Sequence, residues 1–223
     1  MATRRHRRLA PPLERRMSPA VTIVDYGVGN LRSLLRMFER LQVPVALSGD
    51  PESVAEANRL VLPGVGAFDA AMQKLRGSGL EPALRRAALE RRIPVMGVCL
   101  GMQLLGTHSE EGVSQGLGWI DAETVRLTDR DESGGPLRMP HMGWASVRAV
   151  RDDPVLSAEG PPRFYFVHSY TVRCASRYLV LGESRYGGPF TAAIRSENLW
   201  GFQFHPEKSH RFGMDLLQRF AST

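Results

Sequence analysis

The chain has 223 residues, 43% hydrophobic and 23% charged, with 2 cysteines and a formal net charge of +6. That length buries a substantial core in one domain, and two cysteines cannot build a disulfide framework. No apolar stretch approaches the roughly 20 residues that cross a bilayer, so a membrane-spanning protein and a disulfide-stapled secreted module are set aside.

The charge sits at the start. Residues 1–16, MATRRHRRLAPPLERR, carry six arginines and one glutamate, net +5, which leaves the other 207 residues at +1. No apolar run there can serve as a signal-peptide core, and Pro11-Pro12 interrupts any helix. Residues 1–20 are therefore expected to form a disordered, arginine-rich extension, and 21–223 the folded domain. A flexible appendage, a start at Met17 and an organelle-targeting segment all fit this composition. No aromatics are interleaved with the arginines, so base stacking on nucleic acid is not indicated.

Beyond residue 20, short β-branched runs alternate with amphipathic segments, the pattern of an α/β sheet. VTIVD (21–25) reads as a buried strand; Leu31, Leu34, Leu35, Phe38 and Leu41 then recur at helical spacing behind Asn30 as N-cap. RLVLP (59–63) and PVMGV (94–98) read as two further strands, each followed by a glycine-containing turn and a helix. Such strands lie parallel, with their C-terminal ends on one edge of the sheet. From about residue 117 the rhythm changes to short strands with Gly and Pro turns, among them FYFVHSY (164–170) and LWGFQF (199–204). Ser209 is placed to cap a last helix with Phe212, Leu216, Leu217 and Phe220 as its buried stripe.

GVCLG (97–101) delivers Cys99 from a strand into a sharp turn between two glycines. That is the cysteine counterpart of a nucleophile elbow, in which small neighbours permit a strained turn. A buried, inert cysteine is the competing reading. In FQFHPEKS (202–209), Pro206 pushes His205 toward an extended conformation, and a period of two then puts His205 and Glu207 on one side. A carboxylate beside an imidazole fixes its tautomer while the ring deprotonates a thiol elsewhere, so Cys99, His205 and Glu207 make a candidate triad. His168, His141 and His108 are rival bases without a carboxylate two positions away. No short zinc-type ligand spacing occurs, and no metal is expected.

LPGVGAF (62–68) supplies a glycine-rich turn whose backbone N–H groups can face negative charge. With a thiolate nearby, Gly64, Val65 and Gly66 become candidates for an oxyanion hole completed by the N–H of Leu100. An ordinary strand-to-helix turn is the alternative. DYGVGN (25–30) fails the dinucleotide fingerprint because Arg32 stands at the third glycine.

With these residues in their order of Cys, His, Glu, the chain from about 21 to 220 resembles the class I, triad-type glutamine amidotransferase family. VDYGVGNLRSL, PHMGW (140–144), FYFVHSY and FQFHPEKS look most like the glutaminase subunits of imidazole glycerol phosphate synthases. The resemblance implies a single α/β domain with a central, mostly parallel mixed sheet flanked by helices. It also implies hydrolysis of L-glutamine to glutamate and ammonia without a cofactor, in histidine biosynthesis in the cytoplasm. Gln103, Ser169 and Tyr170 become candidate substrate contacts. The implied partner is a cyclase subunit, a β/α barrel forming a heterodimer with this chain and consuming the ammonia. Tyr26, Gly27, Asn30, His141, Met142 and Trp144 are the candidate interface residues. No nucleic acid or membrane partner is implied. Ala145 departs from the family, which usually has Asn after Gly-Trp. Three other readings remain open: a glutaminase of another amidotransferase, such as that of pyridoxal phosphate synthesis, a cysteine hydrolase of γ-glutamyl or peptide bonds, and a non-catalytic regulatory subunit. Partner choice, an amide substrate panel and triad completeness separate them.

Overall fold

A computed structural model describes residues 20–156 and 160–223; the expected arginine-rich extension lies outside the described residues. The first strand, β1 (Val21–Val24), is buried along its whole length. It runs into α1 (Leu31–Arg40), whose helical spacing buries Leu34 and Phe38. Asn30 occupies the N-cap position, but its side chain makes no capping bond. The next strand, β2 (Val45–Ser48), has no counterpart among the sequence expectations. It is an edge strand paired in parallel with β1 and only half-buried, so it lacks the continuous apolar run that marks its neighbours. The short helix α2 (Pro51–Ala55) is capped by the Asp50 carboxylate, which accepts the Ser53 N–H at 2.8 Å. Then come β3 (Leu60–Gly64), α3 (Phe68–Gly77), α4 (Glu81–Arg85), β4 (Val95–Cys99) and α5 (Leu100–Leu104).

The second half is built from β5 (Ala122–Arg126), β6 (His141–Ser146), β7 (Arg148–Ala149), β8 (Arg163–His168), β9 (Tyr170–Cys174), β10 (Val180–Arg185), β11 (Pro189–Ser196) and β12 (Leu199–Phe202), and ends in α6 (His210–Ala221). FYFVHSY is thus two strands broken at Ser169. One of them, β8, leaves the main sheet to pair with β6, while β9 returns to it beside β11. The main sheet runs β2-β1-β3-β4-β12-β11-β10-β7, with β9 on β11 and β5 on β9. Every pairing from β2 to β12 is parallel. The expected α/β domain is what forms: a mixed sheet flanked by helices, parallel throughout the half that ends at Cys99.

Two apolar layers cover the sheet. Leu62, Met72 and Leu100 pack on the face under α3, α4 and α5, and Ile23, Phe38, Phe202 and Leu217 on the face under α1 and α6. The last helix departs from expectation in two details. Phe212 is only half-buried, while Gly213 joins Leu216, Leu217 and Phe220 in the buried stripe. Ser209 sits at the N-cap but bonds elsewhere: its hydroxyl donates to the His205 carbonyl at 2.6 Å and accepts the Tyr165 N–H at 3.0 Å. It ties β8 to the segment that carries His205. Among the described residues no helix is long and apolar enough to cross a membrane.

One buried charge holds the antiparallel half together. The Asp153 carboxylate is fully buried and accepts from the Val155 and Leu156 N–H groups, the Trp200 indole at 3.3 Å and the Arg195 guanidinium at 2.6 Å. Arg195 also lies 4.5 Å over the Trp200 ring. Removing the carboxylate strands a partly buried cation and three N–H donors. Asp153→Ala is therefore expected to destabilise the protein by about 2–3 kcal/mol, read from urea unfolding midpoints.

Candidate active site

The turn after β4 is where packing dictates sequence. Cys99 has φ +54° and ψ −111°, backbone values that L-residues rarely adopt, and α5 begins at the next residue. A Cβ on Gly97 would stand 2.6 Å from the Gly101 carbonyl oxygen, and one on Gly101 would stand 1.9 Å from that of Leu62. Both glycines are there because α5 lies directly against β3 and β4, which is the elbow geometry expected of GVCLG.

His205 is brought to Cys99 by strand order. β12 pairs in parallel with β4, with Phe202 beside Val98, so both chains leave the sheet at the same edge. The expectation of a continuous extended HPE segment is corrected. Pro206–Lys208 form a 3-10 turn, because proline at its first position pre-sets the helical φ. Glu207 therefore reaches back across a turn, and its Oε1 accepts from His205 Nδ1 at 2.8 Å with both side chains almost wholly buried. That bond fixes the tautomer and leaves Nε2 without a completed hydrogen bond. Burial pulls the imidazole pKa down, but hydrogen bonding and charge from Cys99 and Glu207 outweigh it and carry it up to about 9. The ring thus holds a proton at neutral pH.

Cys99 and His205 open onto a cleft of about 320 Å³. Val65, Gly66, Leu100, Gln103, Ser169 and Tyr170 line it. Gly64 does not. It pairs with Cys99 across β3 and β4 and lies under α5, where a Cβ would be 2.6 Å from the Gly101 nitrogen. Glu111, Lys208, Pro140 and Val167 on the cleft wall had no role in the sequence reading, and His168, also on it, figured there only as a rival base. Glu111 accepts the Phe68 N–H at 2.9 Å, and its only sequence signal is an acidic pair in a glycine-bounded loop. Lys208 directly follows the triad candidate Glu207, in a turn whose direction the sequence did not reveal.

Two residues assigned to a partner surface are not on it. Tyr26 is buried, with its hydroxyl donating to the Pro63 carbonyl at 2.6 Å, so it buttresses the PGVG turn from behind. Burial first, and the Cys99 charge second, push its phenol pKa up. His141 is also buried, stacked 4.1 Å from the Tyr186 ring. Gly27 and Asn30 remain at the surface, as do Met142, 61% exposed, and Trp144, which stacks on His210.

Two of the three rival histidines, His168 and His141, form a neutral pair, while His108 lies against Glu123 at 3.1 Å. His168 Nδ1 donates to the Tyr170 carbonyl at 2.8 Å, so its Nε2 must accept from His141 Nδ1 at 3.0 Å. Protonating His168 would require His141 to move its own proton from Nδ1 to Nε2 so that it accepts instead. Burial lowers His141 to about 4, and burial, with the charges of His141 and His205 behind it, lowers His168 to about 3. In the unfolded chain both titrate near 6.5, so below that pH the unfolded state binds more protons and stability falls as pH drops. His168 alone is expected to cost about 2 kcal/mol between pH 7.5 and 5. A denaturant midpoint that stays flat over this window would contradict it.

A larger groove of about 490 Å³ lies over β5, β9 and β11, away from Cys99, and its Arg173 and Arg177 are already paired with Glu123 and Glu183. Among the described residues no group of three or more His, Cys, Asp or Glu side chains is placed to hold a metal ion.

Comparison with known proteins gives the family. The family model for class-I glutamine amidotransferases matches residues 22–222. Imidazole glycerol phosphate synthase subunit HisH 2 of Pseudomonas aeruginosa is 48% identical over 201 residues, 90% of this chain and 98% of that protein. Subunit HisH of Leptospira interrogans is 41% identical over 203 residues, 91% of this chain and 99% of its own length. The chain belongs to the class-I glutamine amidotransferase family, among its HisH subunits. Solved structures share the fold at low identity. A glutamine amidotransferase superposes with a TM-score of 0.70 at 19% identity, over 92% of this chain and 100% of that one. PurLQS from Thermotoga maritima gives 0.66 at 19%, over 92% and 99%. In this chain Cys99, His205 and the turn at Val65-Gly66 lie on one cleft.

Proposed function

We propose that the chain is the glutaminase half of an imidazole glycerol phosphate synthase, working through Cys99, His205 and Glu207. The observation that carries this reading is that the strained Cys99 turn and the Glu207-held His205 open onto the same cleft. Cys99 as thiolate attacks the side-chain carboxamide of L-glutamine. The N–H groups of Leu100 and of the Val65-Gly66 turn face the developing oxyanion. His205 delivers its proton to the departing ammonia, then takes one from the water that opens the thioester and releases glutamate. Gln103, Ser169 and Tyr170 hold the substrate, and Glu207 keeps the imidazole in register.

Ammonia released into water is lost, so the chain works beside an acceptor enzyme. The acceptor is a cyclase subunit with a β/α barrel, in a cytoplasmic heterodimer that forms imidazole glycerol phosphate and an aminoimidazole carboxamide ribotide. Gly27, Asn30, Met142 and Trp144 are the residues offered to it. The test is glutamate release from L-glutamine by the purified chain, alone and with the cyclase carrying its phosphoribulosyl substrate. Turnover is expected to rise when the loaded cyclase is added, as coupling between two sites requires. Equal turnover with and without it would move the chain to another amidotransferase or to free-standing amide hydrolysis.

A further inference from the structure

The amide of Gln203 is wholly buried, two residues before His205, and no step above uses it. Its Nε2 lies 3.7 Å from Cys99 Sγ, at donor distance for sulphur, and its Oε1 accepts from Gln103 Nε2 at 3.0 Å. The same Gln103 nitrogen faces the Tyr170 carbonyl at 3.4 Å, and that carbonyl also takes the His168 Nδ1–H. Two primary amides therefore stand in series between a sulphur and a carbonyl.

The ends settle which way the amides point. A carbonyl only accepts, so Gln103 must turn its NH2 toward Tyr170 and Gln203. Gln203 must then offer its oxygen to Gln103 and its own NH2 to the sulphur. Flipping Gln203 to take a proton from a neutral thiol would set NH2 against NH2. The chain of bonds thus suits a sulphur that accepts, a role a thiolate fills strongly and a neutral thiol only weakly. It also leaves the Gln103 carbonyl oxygen with no protein partner among the described residues, on a side chain that lines the cleft.

We propose that Gln203 is a positioning residue, locking the Cys99 sulphur as a hydrogen-bond acceptor and, through the same amide, turning Gln103 so that its free oxygen takes an N–H donor of the substrate. That oxygen accepts from a primary amide or an ammonium and repels a carboxylate; only contact with the side-chain carboxamide would favour glutamine over the glutamate it becomes, since both carry the same α-ammonium. This rests on the glutaminase reading for its substrate, but not for its effect on the sulphur.

The test is alkylation of Cys99 by iodoacetamide across pH 5–9 on the full chain, resolved from Cys174 by peptide mass, in Gln203→Met and Gln203→Glu. Loss of the donor is expected to move the alkylation curve to higher pH by about one unit, a tenfold loss of thiolate at fixed pH. In turnover assays both variants are expected to lose kcat. KM should rise more in Gln203→Met than in Gln203→Glu, which still offers an oxygen to Gln103. A merely structural role would not split the two constants this way. Variants that melt like the parent and follow its alkylation curve would overturn the proposal; should Gln203→Met fail to fold, Gln203→Glu decides by the same criterion. A parent chain without glutaminase turnover would instead count against the function, and the alkylation comparison would still stand on its own.

Discussion

Replacement of Cys99 by alanine is expected to lower glutamate release from L-glutamine by on the order of 10⁴-fold or more, with the fold intact. As the proposed nucleophile, Cys99 divides amide hydrolysis into two easier steps, and the hydroxyls that line the cleft, Ser169 and Tyr170, are the proposed substrate contacts. Tyr26 has its hydroxyl committed to Pro63 and its phenol pushed away from ionising, and the Ser209 hydroxyl is spent between His205 and Tyr165. Water activated by His205 alone would have to attack an unactivated carboxamide, supported only by the oxyanion turn. Glutamine binding should survive, because the proposed substrate contacts Gln103, Ser169 and Tyr170 do not involve the sulphur. Calorimetric binding beside turnover checks both halves, and activity within tenfold of the parent would remove Cys99 from the mechanism.

The second large effect is on the fold around that residue. Gly101→Ala would place a methyl group 1.9 Å from the Leu62 carbonyl oxygen, with backbone of Pro63 close behind. Both sides of this contact are main chain, so no side chain can rotate away. α5 would have to lift from β3, dragging Leu100, Met102 and Leu104 out of a layer in which they are buried. A loss of about 4 kcal/mol or more follows, among the largest that a single methyl group causes. Because the same helix carries the Leu100 N–H and Gln103, turnover should fall even at temperatures where the variant stays folded. Thermal melts with residual activity test both. By contrast, Gly66 has φ +91° with open space around it, so alanine there would strain only its own backbone.

What could be read from the chain beforehand was what is local. Strands β1, β3 and β4 announce themselves because parallel strands buried on both faces are continuous apolar runs, and GVCLG announces itself because a strand-to-helix turn this tight accepts few residues. The edge strand β2, half wet, has no such run. The HPE segment misled because a period of two describes a strand, whereas Pro206 had already begun a turn. The buried roles of Tyr26, Asp153 and Gln203 were invisible for a different reason. Tyr26 and Pro63 are 37 positions apart, Asp153 and Arg195 42, and Gln203 and Cys99 104. Only the order of strands in the sheet brings such groups together. The partner-surface assignment failed for Tyr26 and His141 on the same ground, since an aromatic beside a glycine turn looks alike in sequence whether it faces solvent or the core.

The twist of the main chain at Cys99 sets stability and activity against each other. A side chain at φ +54° costs about 1–2 kcal/mol that glycine would not. Cys99→Gly should therefore be an inactive protein that melts higher than the active one, and higher than Cys99→Ala. Selection for thermal tolerance alone, in the laboratory or in a lineage that obtains its histidine ready-made, would favour loss of the nucleophile. Only continued demand for turnover keeps a cysteine in a place where the backbone prefers no side chain at all.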